Sequence, residues 1–168
     1  NPFDEYAVEA AVRIKEQFGA KVTVLSMGPP QAESALRKCL AMGADEAVLV
    51  SDRAVAGADT LATSYTLAKA IEKIGKPDII FCGKMAIDGD TAQVGPGIAE
   101  HLGLPQATYV QKIREVSTHR LLVERVSDSG YELVSIPLPC VLTVDKAIGE
   151  PRYPSVKGSI NASRAKIT

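Results

Sequence analysis

Residues 77–96 read "PDIIFCGKMAIDGDTAQVGP", and this stretch decides the fold. Ile79, Ile80, Phe81 and Cys82 form an unbroken apolar run, the pattern of a strand covered on both faces, as in parallel sheets flanked by helices. The run empties into a polar loop with glycines at 83, 89 and 95. Pro96 has no amide hydrogen and fits the first turn of a helix, where that hydrogen has no partner anyway. Ile98, Ala99 and Leu102 continue at helical spacing until Gly103. A buried strand, a glycine-spaced loop and a helix in this order are one unit of an α/β sheet.

The same unit recurs upstream. Asn1 is placed to cap a first helix, with Pro2 in its first turn and Asp4 and Glu5 at its positive end. Its apolar residues are Ala7, Ala10, Ala11, Ile14 and Phe18, and Gly19 stops it. "KVTVLSMG" (21–28) is a strand. Pro30 opens a helix through Leu36, Cys39 and Leu40 that ends at Gly43, and "EAVLVSD" (46–52) is the next strand. Asp59 caps a third helix carrying Leu67, Ile71 and Ile74, closed by Gly75 and Pro77. Beyond Pro105, "TYVQKIREVS", "RLLVERVS" and "GYELVSIPL" are strand-like, with "SDSG" (127–130) a turn between the last two. "CVLTVD" (140–145) is expected to return to the core. The expectation is a doubly wound α/β domain over 1–145 with a mostly parallel, Rossmann-like sheet and an antiparallel extension at 106–138. The segment 146–168, rich in Gly, Pro and Ser, is expected to be weakly structured.

With 168 residues, 46% hydrophobic and 23% charged, the chain is long enough for one sizeable core. A net charge of −1 and the lack of a basic run argue against nucleic acid. No apolar stretch approaches the ~20 residues of a membrane span. Cys39, Cys82 and Cys140 are isolated among apolar neighbours, which reads as buried reduced thiols of a cytoplasmic protein rather than disulfide or metal ligands. No His, Cys or Ser lies in an acid–base or nucleophile arrangement, so no residue is assigned as catalytic and no metal site is expected.

The loop carries the chemistry. In open α/β sheets ligands sit beyond the carboxyl ends of strands, where helix N-termini converge. The amides of Thr91, Ala92, Gln93, Val94 and Gly95 precede or open a helix and lack intrahelical partners, which suits a phosphate. Thr91 adds a hydroxyl, and Gly89 is expected to let the chain turn without a Cβ penalty, so that a β-branched residue there would weaken nucleotide retention. An aspartate would repel a bound phosphate, so Asp90 should face away. The competing reading is that Asp88 or Asp90 simply caps its own helix. The motif is neither a Walker loop nor GxGxxG. At a second strand end, Met27 either rests on a flat adenine ring or packs in the core.

Taken together, "NPFDEYAVEAA", "CLAMGADEAVLV", "GKMAIDGDTAQVGPGIAEHLGLP" and "IPLPCVLTVDKAIGEPRYPS" resemble the β subunit of electron transfer flavoproteins along essentially the whole chain, and the basic "SRAK" segment after "GEPRYPS" adds to the likeness. The resemblance implies pairing with an α subunit that carries the redox FAD, and a nucleotide held by the β subunit itself. That nucleotide is AMP in conventional members; in electron-bifurcating members it is a second FAD, which takes a hydride from NADH. The wording "DGDTAQVGP" is closer to the bifurcating members, so FAD is expected, with AMP the alternative. Carried over, the nucleotide site comprises Asn1, Pro2, Phe3, Asp4, Met27 and the loop residues Gly83, Lys84, Met85, Ala86, Ile87, Asp88, Gly89, Asp90, Thr91, Ala92, Gln93 and Val94. The stretch "DKAIGEPRYPSVKGSI" resembles the loop that docks with dehydrogenases such as acyl-CoA dehydrogenase. It implicates Glu150, Pro151, Arg152, Tyr153 and Val156, the last at an anchor position where leucine is usual; the other reading of Arg152 and Tyr153 is a solvated turn. By the same resemblance a first strand is expected before Asn1 and an arm after Thr168. A nucleotide-binding regulatory module of the universal-stress type is the alternative reading, and a small hydrolase or transferase a weaker one.

Overall fold

A computed structural model describes residues 1–168. Helix α1 (Pro2–Phe18) is followed by β1 (Thr23–Met27), α2 (Glu33–Met42), β2 (Glu46–Val50), α3 (Thr60–Ile74), β3 (Ile79–Gly83) and α4 (Val94–Leu102). Then come β4 (Gln106–Val116), β5 (Arg120–Ser127), β6 (Gly130–Pro137), β7 (Cys140–Val144) and α5 (Val156–Arg164). This is the expected mixed α/β architecture with parallel strands at its centre and an antiparallel extension.

Strand β7 is the hub. It lies between β3 and β4, parallel to both, and all five of its residues are buried. That explains why "CVLTV" has no polar alternation: both faces are covered. Leu142 and Val144 join Ala7, Val110, Leu121, Val123 and Ile136 in the main core. Strands β4, β5 and β6 run antiparallel, and β5 and β6 meet at Ser127 and Gly130 around the two-residue turn Asp128–Ser129. A smaller core under α2 gathers Val22, Leu36, Leu40 and Ala47 with Ala162 of α5.

The structure departs from the sequence reading at several points. The parallel strands form two sheets, β1–β2 and β3–β7–β4–β5–β6, rather than one. An apolar run shows that a strand is there, not which strand lies beside it or how fully it is covered: β1 is half-buried along its length, and β3, at a sheet edge, is fully buried only at Gly83. Pro30 opens a single 3₁₀ turn (Pro30–Ala32), and α2 proper starts at Glu33. Asp59 does cap α3, accepting from the Ala62 amide at 2.8 Å. Asn1 occupies the cap position of α1 without a side-chain cap bond, and its amide nitrogen donates to Asp4 and to the Met85 carbonyl instead. In α1 the buried set is Ala7, Val8, Glu9, Ala10 and Val12, whereas Phe18 is half exposed.

The segment after Lys146 is also more ordered than its composition implies. Ser155 caps α5, accepting from the Gly158 amide at 2.9 Å. Arg37 on α2 donates to the carbonyls of Ala162, Ser163 and Ala165, satisfying the end of the same helix. Ile167 then bridges to Ala47 beside β2. No helix is long and apolar enough to cross a membrane.

Candidate functional site

The carboxyl end of β3 is fastened to the start of α1. The Gly83 amide donates to Asp4 Oδ1 at 3.1 Å. Asn1 Nδ2 donates to Asp4 Oδ2 at 3.0 Å and to the Met85 carbonyl at 2.9 Å. Lys84 Nζ lies 4.9 Å from the centre of the Phe3 ring and pairs with Asp145 Oδ2 at 2.7 Å. Asn1, Phe3, Asp4, Gly83, Lys84 and Met85 are thus brought into one cluster, although about 80 positions separate the two stretches. Burial alone would raise the Asp145 carboxyl. The hydrogen bond and charge of Lys84, with the amides of Ala147 and Lys146, outweigh it and hold Asp145 below the usual carboxylate range.

From Ala86 the loop is exposed, with a turn closed by the Asp90 amide donating to the Ala86 carbonyl at 2.9 Å. Asp88 Oδ1 accepts from the neighbouring Gly89 amide at 3.0 Å. Helix α4 has no side-chain cap, so neither aspartate performs the role of the competing reading. Gln93, at the cap position, instead accepts from the Thr60 hydroxyl at 2.8 Å. The amides of Thr91, Ala92, Gln93, Val94 and Gly95 donate to no protein acceptor. Five adjacent donors at a helix start, with the helix dipole behind them, can hold an anionic group.

One expectation about the loop is corrected. Gly89 has no positive φ, and a Cβ there would meet nothing within 4 Å. The left-handed positions are Asp90 (φ 50°) and Ala92 (φ 54°), each held in a conformation that costs a residue with a side chain about 1–3 kcal/mol. The glycines that matter sterically flank the loop. A Cβ on Gly83 would lie 2.6 Å from Asp4 Oδ1 and 2.6 Å from the Phe3 carbonyl carbon. A Cβ on Gly95 would run into the Thr143 methyl group, and one on Gly97 would lie 2.6 Å from Ser64 Oγ.

Met27 ends β1, level with Val50, and no hydrogen bond ties it to the loop. Pro2 sits in the first turn of α1 as read. In the second group, Tyr153 is 95% exposed and Val156 81% exposed, while Arg152 is half buried and bonded to Glu9 and Glu16 of α1. Sequence reading missed Asp145, Thr143 and Glu9. Thr143 accepts from the amide of Tyr109, a left-handed residue (φ 55°) at a register shift in β4. Burial pushes the Cys82 thiol up to about 12 and the Cys140 thiol to about 11, so neither is a thiolate at neutral pH.

Paired carboxylates set the acid response. At Glu9, Asp45, Glu124 and Asp145 burial acts to raise the pKa, and hydrogen bonds from Arg152, Lys15, Gln111 with Arg114, and Lys84 respectively outweigh it. Each folded-state value lies below its unfolded one, so the unfolded chain binds more protons as pH falls. Their contribution is complete above the ordinary carboxylate range and disappears as pH drops through the folded values. The urea midpoint is expected to hold from pH 7 to 6 and to fall steadily between pH 5 and 3. A midpoint flat across that lower range would contradict the pairing.

The whole chain, residues 1–168, matches the electron transfer flavoprotein domain model. The chain belongs to that family. It is 58% identical over 166 residues to an electron transfer flavoprotein subunit beta of Thermoanaerobacterium thermosaccharolyticum, covering 99% of this chain and 63% of the relative. It is 52% identical over 169 residues to the caffeyl-CoA reductase–Etf complex subunit CarD of Acetobacterium woodii (100% and 64%). A FixA protein of Azorhizobium caulinodans is 51% identical over 173 residues (99% and 62%). The chain therefore spans less than two thirds of the length of these curated relatives.

Proposed function

We propose that this chain is the nucleotide-holding part of an electron transfer flavoprotein β subunit, working in the cytoplasm with an α subunit as an electron carrier between NADH or acyl-CoA-type dehydrogenases and their acceptors. The observation that carries the reading is the row of five amides at Thr91–Gly95 with no protein acceptor. They lie in the segment where the family resemblance puts the nucleotide phosphate. Asn1, Phe3 and Asp4 close the other side of the loop through their contacts with Gly83, Lys84 and Met85. Residues present fit the phosphate of an adenine nucleotide: five amide donors without a protein acceptor, next to a solvent-exposed loop from Ala86 to Thr91.

The nucleotide in this reading is FAD, with AMP the alternative. FAD supplies redox chemistry when bound; the protein's part is to hold and orient it and to set its electrostatic surroundings. No side chain here is asked to act as nucleophile or general base. The family match gives no support to the stress-type regulatory module. A visible spectrum of the purified heterodimer, with nucleotide released and quantified, tests the assignment. Two flavins per heterodimer are expected. One flavin with one AMP would move the protein to the conventional, non-bifurcating class, and a β subunit with no adenine nucleotide at all would sink the loop assignment.

A further inference from the structure

Glu9 is an anomaly on α1: a carboxylate only 3% exposed on a helix face that otherwise buries Ala7, Val8, Ala10 and Val12. It is surrounded by donors. Arg152 Nε donates to Glu9 Oε2 at 2.8 Å, the Arg152 amide to the same oxygen at 3.1 Å, and Arg152 Nη2 to Oε1 at 3.1 Å. Arg13 Nε donates to Oε1 at 2.7 Å. Two turns along α1, Glu16 takes the outer side of the Arg152 guanidinium through both oxygens, one of them at 2.9 Å. Arg13 also reaches the carbonyls of Ile148 and Glu150, and a Cβ on Gly149 would strike its guanidinium. One residue further along the side chains turn to solvent: Tyr153 is 95% exposed, and Val156 and Ile160 project from the first turns of α5 at 81% and 50%.

We propose that Arg152 is a positioning residue rather than a partner contact: with Glu9, Glu16 and Arg13 it locks residues 148–152 onto α1, so that Tyr153 and Val156 are presented in a fixed place. Its guanidinium already serves two carboxylates in a forked, charge-assisted geometry. A partner's acid would have to displace them and strip the buried Glu9 of its guanidinium donors from Arg152, leaving only the Arg152 amide on Oε2 and Arg13 on Oε1, which is unfavourable. Pre-ordering the backbone beneath exposed apolar anchors lowers the ordering cost of docking and so tightens it without any added contact. The inference rests on the reading of 150–156 as a docking segment.

The experiment uses the full-length subunit assembled with its α partner. Arg152→Gln, Arg152→Lys, Glu16→Gln and Tyr153→Ala are compared by amide exchange over 147–156, by nucleotide content, and by reduction of the heterodimer's flavin by a substrate-reduced acyl-CoA dehydrogenase. Arg152→Gln is expected to speed exchange at 148–152 at least tenfold and raise the KM for the heterodimer about three- to tenfold, with kcat and nucleotide content held. Arg152→Lys is expected to recover part of both. Glu16→Gln removes the solvent-side half of the lock without orphaning Glu9, and serves if Arg152→Gln does not fold. Faster exchange with an unchanged KM, or unchanged exchange in both variants, overturns the lock while a raised KM in Tyr153→Ala leaves the docking reading standing. If Tyr153→Ala also leaves KM unchanged, the docking reading fails and the lock's role falls with it.

Discussion

Gly83→Val is expected to empty the nucleotide site, lowering nucleotide retention at least tenfold, and to lower stability by about 1–3 kcal/mol through overpacking. Gly83 is buried at the end of β3, and its missing side chain is the space in which the first turn of α1 sits. The atoms that a Cβ would meet at 2.6–2.8 Å include the Phe3 carbonyl carbon and the Asp4 amide nitrogen, which are backbone and cannot rotate away. Relief requires α1 to lift. That breaks the Gly83–Asp4 and Asn1–Met85 bonds together, since both depend on the same approach. Gly158→Ala supplies the comparison. Its Cβ would strike the Ala41 carbonyl between α5 and α2, away from the loop. It is expected to destabilise by a similar amount while retaining the nucleotide. Released nucleotide per heterodimer and the urea midpoint check both. Equal nucleotide loss in the two variants would reduce the Gly83 effect to general destabilisation.

What the sequence made legible follows from how local each feature is. The "PDIIFCG" strand, the Gly19, Gly43 and Gly103 stops and the Asp59 cap depend on a few neighbouring residues, and they stand where the sequence reading put them. The loop's donors were legible for the same reason: Pro96 marks the helix start and therefore the unpartnered amides before it. Glu9 was not legible. On a helix with Glu5, Arg13 and Glu16 it reads as one more solvated charge, and its partner Arg152 lies 143 positions away. Thr143 likewise looks like a polar interruption in "CVLTV" until the left-handed Tyr109 supplies the amide its hydroxyl receives. Gly89 does lie in the turn between Ala86 and Asp90, but glycine spacing does not say where the backbone turns left-handed or where a Cβ is excluded: the left-handed residues are Asp90 and Ala92, and the close approaches fall on Gly83 and Gly95.

Gly95→Ala is expected to weaken nucleotide retention about tenfold, and Thr143→Ser in the same chain to restore most of it. Gly95 is the second residue of α4 and the last of the five unpartnered amides. Its Cβ position is occupied by the Thr143 methyl, with Cys82 Cβ 3.5 Å away on the adjoining strand. Thr143 cannot rotate its methyl aside freely, because its hydroxyl is held by the Tyr109 amide at 3.1 Å, and it is buried in the fully covered β7. An added methyl therefore tilts the start of α4 off the sheet, and the amides of Thr91–Gly95 move with it. A displacement of even half an ångström matters for donors that act together on one group. Serine at 143 removes the methyl and keeps the hydroxyl, so it reopens the space without orphaning Tyr109. The single Thr143→Ser change leaves a small void and is expected to cost about 1 kcal/mol. The double-mutant cycle separates the terms: steric coupling through this contact makes the double variant retain more nucleotide than Gly95→Ala alone. Additive losses would mean that the Gly95→Ala effect does not run through the Thr143 contact, and undiminished retention in Gly95→Ala would mean that the nucleotide is held by groups other than the amide row.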